Sequence, residues 1–270
     1  MDGSPFGPGP FLLAGPCVLE DERLNLTVAE RLAAIGERTG LRITYKASFD
    51  KANRSRLTAG RGPGLEEGLR QLERIRSASG LPVLTDVHES DQPARAAQVV
   101  DVLQIPAFLC RQTDLLVAAG KTGKPVNIKK GQWMTPEAMA GAVEKVKSGG
   151  ARDVAVTERG SFFGYGDLVV DMRSFMRMRE ACGVPVVFDA THSVQQPGKG
   201  EGGSSGGLRA AIPPLLLASA AAGADGFFLE THPDPARAPS DGPNQIPLGD
   251  LEDLVKRALE VWHAARRELR

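Results

Sequence analysis

Residues 183–192 read GVPVVFDATH and residues 226–233 read GFFLETHP. Each is a short apolar run that breaks abruptly into polar residues: Asp189, Thr191 and His192 in the first, Glu230 and His232 in the second. A run that is apolar on both faces suits a strand buried in a parallel sheet. Between the two lies an Ala- and Leu-rich segment, Leu208–Ala222, so the span predicts strand, loop, helix and strand. Working outward, the same unit recurs. Further strands are predicted at Phe11–Gly15, Arg42–Ala47, Pro82–Val87, Val102–Ile105, Pro125–Lys129 and Asp153–Thr157, beside Pro185–Asp189 and Gly226–Glu230. Helical segments fall at Thr27–Thr39, Gly64–Ser79 and Thr135–Ser148, with Pro136 at a first helical position and Gly40, Gly80, Gly123 and Gly183 at stops. An open doubly wound sheet is the alternative arrangement. Eight strand–helix units in 270 residues point to an α/β fold of the closed (β/α)8 TIM-barrel kind, one domain over 1–270. The Gly/Ser-rich stretch Gly198–Gly207 reads as a mobile loop, and its part Gly202–Gly207, before a helix, as a loop or a phosphate cradle.

Lys plus Arg is 33 and Asp plus Glu is 33. Net neutrality excludes a global pull toward nucleic acid or an anionic membrane, so any anion site must be local. No apolar run reaches the ~20 residues of a membrane span, and Met1–Pro10 lacks the features of a signal peptide. Three cysteines, Cys17, Cys110 and Cys182, fit a reducing, cytoplasmic setting better than a disulfide framework.

Barrel active sites lie at the C-terminal strand ends. There the sequence offers Cys17, Lys46, Asp86, Gln104, Lys129, Lys130, Glu158, Arg159, Asp189, His192 and Glu230, with Asp241 in the last loop. Two chemical sets separate. Closure places the eighth strand between the seventh and the first, which brings Cys17, His192, Glu230 and Asp241 together. A thiolate, an imidazole and two carboxylates suit a divalent ion, Zn2+ or Fe2+ first and Mn2+ or Cd2+ after them. Each member alone has a plainer reading: a small buried cysteine, a hydrogen-bonded histidine, a turn-capping aspartate in Ser240-Asp241-Gly242. The second set is cationic: Lys46, Lys51, Arg54, Lys129 and Arg159. Five cations on one rim imply polyanionic ligands. The plainer alternative is surface pairing with Asp50, Asp86 and Glu158.

The segments AGPC (14–17), KASFDKANRS (46–55), QIPAF (104–108), NIKKGQ (127–132), TERG (157–160), DATHSVQ (189–195) and ETHP (230–233) carry a resemblance over nearly the whole chain. It resembles the 3-deoxy-D-manno-octulosonate 8-phosphate synthases. These condense phosphoenolpyruvate with D-arabinose 5-phosphate in lipopolysaccharide sugar synthesis. The resemblance is to the metal-dependent branch, since the other carries Asn where Cys17 stands. It implies one divalent metal per subunit on Cys17, His192, Glu230 and Asp241. It also implies phosphoenolpyruvate on Lys46, Lys51, Lys129 and Arg159, with Gln104 and Ala107 in the substrate site. Asn53, Arg54 and Ser55 would hold the sugar and its phosphate. Phe108 would reach a neighbouring subunit's site in a homotetramer. His192, Lys46, Lys51 and Asp241 are the catalytic candidates. Arg56 and a slightly longer loop at Gly198–Gly207 depart from the pattern. The rival readings are a 3-deoxy-D-arabino-heptulosonate 7-phosphate synthase, which usually shows Lys-Pro-Arg-Thr in this region, and a non-catalytic barrel that senses a phosphometabolite.

Overall fold

The computed structural model describes residues 3–54, 58–162, 164, 166–200 and 205–267. Eight parallel strands form its centre: β1 (Phe11–Gly15), β2 (Arg42–Lys46), β3 (Val83–Asp86), β4 (Val102–Ile105), β5 (Val126–Lys129), β6 (Val154–Glu158), β7 (Val186–Asp189) and β8 (Gly226–His232). Each pairs with the next, and β8 pairs with β1 from Phe11 against Gly226 to Gly15 against Glu230. The sheet is therefore closed, and the open alternative is excluded. Four strands start one residue later than expected, and at three of them the reason is that Pro82, Pro125 and Pro185 have no N–H to give. Their carbonyls still accept from Tyr45, Leu103 and Val156 at 2.9, 2.9 and 3.1 Å.

Helices α1 (Glu22–Thr39), α2 (Leu65–Ser79), α3 (Gln92–Ala96), α4 (Thr113–Lys121), α5 (Ala140–Gly149), α6 (Ser174–Cys182), α7 (Ile212–Ala222) and α8 (Leu251–Arg267) follow the strands in turn. α1 begins five residues before Thr27 because Asp21 caps it, accepting from the Leu24 N–H at 3.0 Å. Gly40, Gly80 and Gly183 end their helices in the left-handed region, as expected. Among the described residues, no helix is long and apolar enough to cross a membrane.

Strand side chains alternate. Leu12, Ile43, Val83, Leu103, Val126, Val154, Val186 and Phe227 belong to the outer core under the helices. Phe11, Leu13, Leu84, Val102, Ala155, Val187 and Phe228 pack inside the barrel with Phe6, which closes its lower end from the N-terminal segment. Arg42 holds that segment by donating to the carbonyls of Ser4, Gly7, Pro8 and Gly9. Two residues up, on several strands the same inward face turns polar: Asp86 above Leu84, Gln104 above Val102, Asp189 above Val187, Glu230 above Phe228. An apolar plug thus carries a polar upper layer.

The stretch Gly198–Gly207 is less free than expected. Gly206–Gly207 pairs antiparallel with Gln195–Gln196, and Lys199 is ion-paired with Asp167. Residues 201–204 of this stretch, and Ser55 and Arg56, lie outside the described residues.

Candidate metal centre and substrate cleft

The polar layer opens into a cleft of about 1260 Å3. Lys46, Lys51, Asn53, Arg54, Gln104, Ala107, Phe108, Lys129, Arg159, His192 and Asp241 all line it. The sequence reading placed these residues on one rim, and the closed barrel does so.

Beneath the cleft, the Cys17 sulfur and one carboxylate oxygen each of Glu230 and Asp241 lie within 4.8 Å of one another. Ring closure does this: Gly15 is in register with Glu230, and Cys17 follows two residues later. Asp241 arrives from the loop after β8 with a left-handed φ of 52°, a conformation that Asp tolerates better than most residues. The Cys17 thiol donates to Asp241 Oδ2 at 3.2 Å. Burial raises the thiol pKa well above its ordinary value, and the Glu230 charge adds to it. Burial would also raise Glu230 and Asp241. The lowering influences together outweigh it, His192 first and then Lys46 at Glu230 and Lys51 at Asp241, and both carboxyls stay below their ordinary values.

His192 stands beside this trio and outside its tight grouping. Its Nε2 is 3.6 Å from Glu230 Oε1. Its Nδ1 lies 2.7 Å from Asp189 Oδ2. In the neutral ring, a carboxylate on Nδ1 favours the tautomer whose Nε2 lone pair faces Glu230, the orientation found in metal-ligating histidines. Glu230 Oε2 is buried and has no hydrogen-bond partner among the described residues. A buried oxygen that nothing donates to, next to a thiol, a second carboxylate and an oriented imidazole, fits a divalent cation.

The cations are held by the same layer. Lys46 donates to the Cys17 carbonyl (3.1 Å), Ser48 Oγ (3.2 Å) and Glu230 Oε1 (3.1 Å). Lys51 donates to Ser48 Oγ at 2.9 Å. Burial would lower the Lys51 pKa, but Cys17, Glu230, Asp86 and Asp241 together raise it. Lys129 pairs with Asp189 and lies 3.0 Å from the centre of the Phe228 ring. Burial draws it down to about 8, and Asp189 stops it falling further. Arg159 Nη2 donates to Gln195 Oε1 at 2.5 Å, while its buried Nη1 has no partner among the described residues. Arg54 Nη1 donates to Ser240 Oγ at 2.7 Å. These are not solvated surface pairs, because Lys46, Lys129 and Arg159 are all buried.

One rim residue proves structural. Lys130 is buried and bonds to Ser161 Oγ at 3.1 Å, with the Glu158 carboxylate at 3.4 Å. Glu158 itself accepts from the N–H groups of Arg159 and Gly160. The two shape the turn that aims Arg159. Three contributors have no assigned role in the sequence: Asp189, which holds both His192 and Lys129; Ser48, which joins Lys46 and Lys51 to Asp86; and Gln195. Asp189 shows there only as a polar strand end, and Ser48 and Gln195 only as members of the quoted motifs.

The sequence profile of the DAHP synthetase I family matches residues 7–266. The chain is 56% identical over 256 residues to the 2-dehydro-3-deoxyphosphooctonate aldolase of Rhodopseudomonas palustris strain HaA2, covering 95% of this chain and 89% of that protein. It is 56% identical over 246 residues to the protein of that name from Trichlorobacter lovleyi, covering 91% and 90%. A third of that name, from a Synechococcus strain, is 54% identical over 263 residues, covering 97% and 90%.

Proposed function

The chain belongs to the DAHP synthetase I family, and from its site we propose that it condenses phosphoenolpyruvate with D-arabinose 5-phosphate and water, giving 3-deoxy-D-manno-octulosonate 8-phosphate and phosphate. The names of its relatives support this reaction over the heptulosonate rival. One observation carries the reading. A thiol and two carboxylates meet within 4.8 Å at the floor of a cleft walled by buried cations. A sensor of phosphometabolites needs the cations but not the ligand trio.

In the reaction, C3 of phosphoenolpyruvate bonds to the aldehyde carbon of the sugar. Water adds at C2, and phosphate leaves with cleavage of its C–O bond. The two substrates bring two phosphates and a carboxylate into one cleft. Two unit charges 4 Å apart at an effective dielectric of 20 repel by about 4 kcal/mol. Lys46, Lys51, Lys129 and Arg159 offset that repulsion and orient phosphoenolpyruvate, with Gln104 and Ala107 beside it. Asn53, Arg54 and Ser55 hold the sugar phosphate, fixing the aldehyde carbon against C3. Cys17, His192, Glu230 and Asp241 would hold the metal, whose mixed sulfur, nitrogen and oxygen ligands favour Zn2+ or Fe2+. When bound, a divalent cation there supplies Lewis acidity and a template at the aldehyde end. Asp189 keeps the His192 imidazole pointed at Glu230. Lys46 and Lys51 hold positive charge near the developing alkoxide, where it helps the transition state more than the ground state.

The three buried free cysteines support a cytoplasmic setting. Phe108 and Trp133, 51% and 43% exposed with ring centres 5.7 Å apart, support a subunit contact at the cleft rim, as in a homotetramer. Phosphate release with each aldose phosphate tests the function. Turnover with arabinose 5-phosphate and none with erythrose 4-phosphate is expected. The opposite preference would favour the heptulosonate reaction. Phosphoenolpyruvate binding without turnover on either sugar would favour the sensor.

A further inference from the structure

Gln195 lies between Asp241 of the metal-ligand set and Arg159 of the cationic set. Its amide Nε2 donates to Asp241 Oδ1 at 2.7 Å, and its Oε1 accepts from Arg159 Nη2 at 2.5 Å. The orientation is forced by chemistry. A carboxylate only accepts and a guanidinium only donates, so a primary amide, with one donor end and one acceptor end, bridges them in a single sense. The bridge is braced on both sides. Gln195 is paired with Gly207 in the short antiparallel ladder, and a Cβ on Gly207 would lie 1.5 Å from Asn244 Oδ1. The ladder is thus packed against the turn that follows Asp241. On the far side, Ser240 Oγ donates to Asp241 Oδ2 at 3.0 Å while accepting from Arg54. A continuous chain of hydrogen bonds runs Arg54, Ser240, Asp241, Gln195, Arg159.

From this geometry we infer that Gln195 is a positioning residue that couples the cation site to the anion site. It fixes the Asp241 carboxylate for the divalent ion and the Arg159 guanidinium for phosphoenolpyruvate, so that filling one site changes the affinity of the other. The inference rests on the proposed roles of Asp241 and Arg159. Coupling between sites is reciprocal: the factor by which the ion changes phosphoenolpyruvate affinity equals the factor by which phosphoenolpyruvate changes ion affinity. Loss of a group that orients a metal ligand typically weakens the metal about 10- to 100-fold.

The test uses the full chain. Zn2+ affinity is measured by competition with a chromophoric chelator, with and without phosphoenolpyruvate. Phosphoenolpyruvate affinity is measured by calorimetry, with and without Zn2+. The parent should show the same factor both ways. In Gln195→Met, which fills the space without hydrogen bonds, Zn2+ affinity should fall roughly 10- to 100-fold and the factor should move clearly toward one, with the Lys46–Glu230 and Asp189 contacts keeping the remainder. Gln195→Glu keeps the acceptor for Arg159 but cannot donate to Asp241. Its factor should also move toward one while phosphoenolpyruvate still binds, which guards against a misfolded Met variant. Parent-like coupling in either folded variant would overturn the inference alone. A parent that binds Zn2+ but no phosphoenolpyruvate would overturn the reading of Arg159, and the inference with it.

Discussion

Replacing Lys46 by Met should destabilise the protein far more than a surface lysine would. Lys46 and Glu230 are 2% and 1% exposed in their side chains, with Nζ 3.1 Å from Oε1. At an effective dielectric of 20 that separation corresponds to about 5 kcal/mol of attraction. Removing the cation also strips a donor from the Cys17 carbonyl and from Ser48 Oγ. Breaking one side of a buried pair typically costs about 3–5 kcal/mol, because the other charge stays buried. The lower end applies here, since Lys51 also stabilises the Glu230 charge. A loss of about 3 kcal/mol lowers the melting temperature by roughly 6–12 °C. Calorimetry of metal-free protein measures it directly. Lys46→Met combined with Glu230→Gln should cost less than the sum of the two single changes, because no unpaired charge remains. An unchanged melting temperature for Lys46→Met, or strict additivity in the double variant, would refute the buried-pair reasoning.

Other expectations follow from the same cleft. Lys129, held near pH 8 by burial, binds an anion only as the ammonium. So kcat/KM for phosphoenolpyruvate should fall above about pH 8, and Lys129→Arg should move that limb upward; a flat profile to pH 10 would contradict it. Stability should move the other way. The unfolded chain keeps that proton up to the ordinary lysine value of 10.5, so this group's contribution to stability rises between the two values. Arg54→Ala should raise the KM for arabinose 5-phosphate roughly 10- to 100-fold, the worth of a charged hydrogen bond or two, and leave phosphoenolpyruvate affinity nearly unchanged. Gly226→Ala tests the seam that closes the barrel. Its Cβ would lie 2.4 Å from the Phe11 ring, and overpacking there should cost about 1–3 kcal/mol by denaturant titration.

The barrel was legible because parallel strands buried on both faces leave continuous apolar runs, and each run here breaks into polar residues at its top. Cys17, Glu230 and Asp241 were legible because closure alone dictates that the first and last strands meet. Strand alternation made Lys46 and Lys129 readable as inward. Lys130, one residue on, points the other way: its side chain leaves the cleft for the turn after β6. Gln195 and Ser240 were illegible because their roles depend on loop turns, and hydrophobic periodicity says nothing about those. Phe6 gave no sign of closing the barrel floor, since the Gly/Pro-rich segment around it has no periodicity to read.

The central claim is that this cleft works through a divalent ion on Cys17, His192, Glu230 and Asp241. Metal content and turnover of the purified protein, measured before and after chelation and again for Cys17→Ala, test it most directly. The account predicts a single ion per chain, with activity lost on stripping and restored by added Zn2+ or Fe2+. It also predicts a folded Cys17→Ala protein that neither holds the ion nor turns over. Full turnover by the stripped protein, or by Cys17→Ala in chelator, would contradict it.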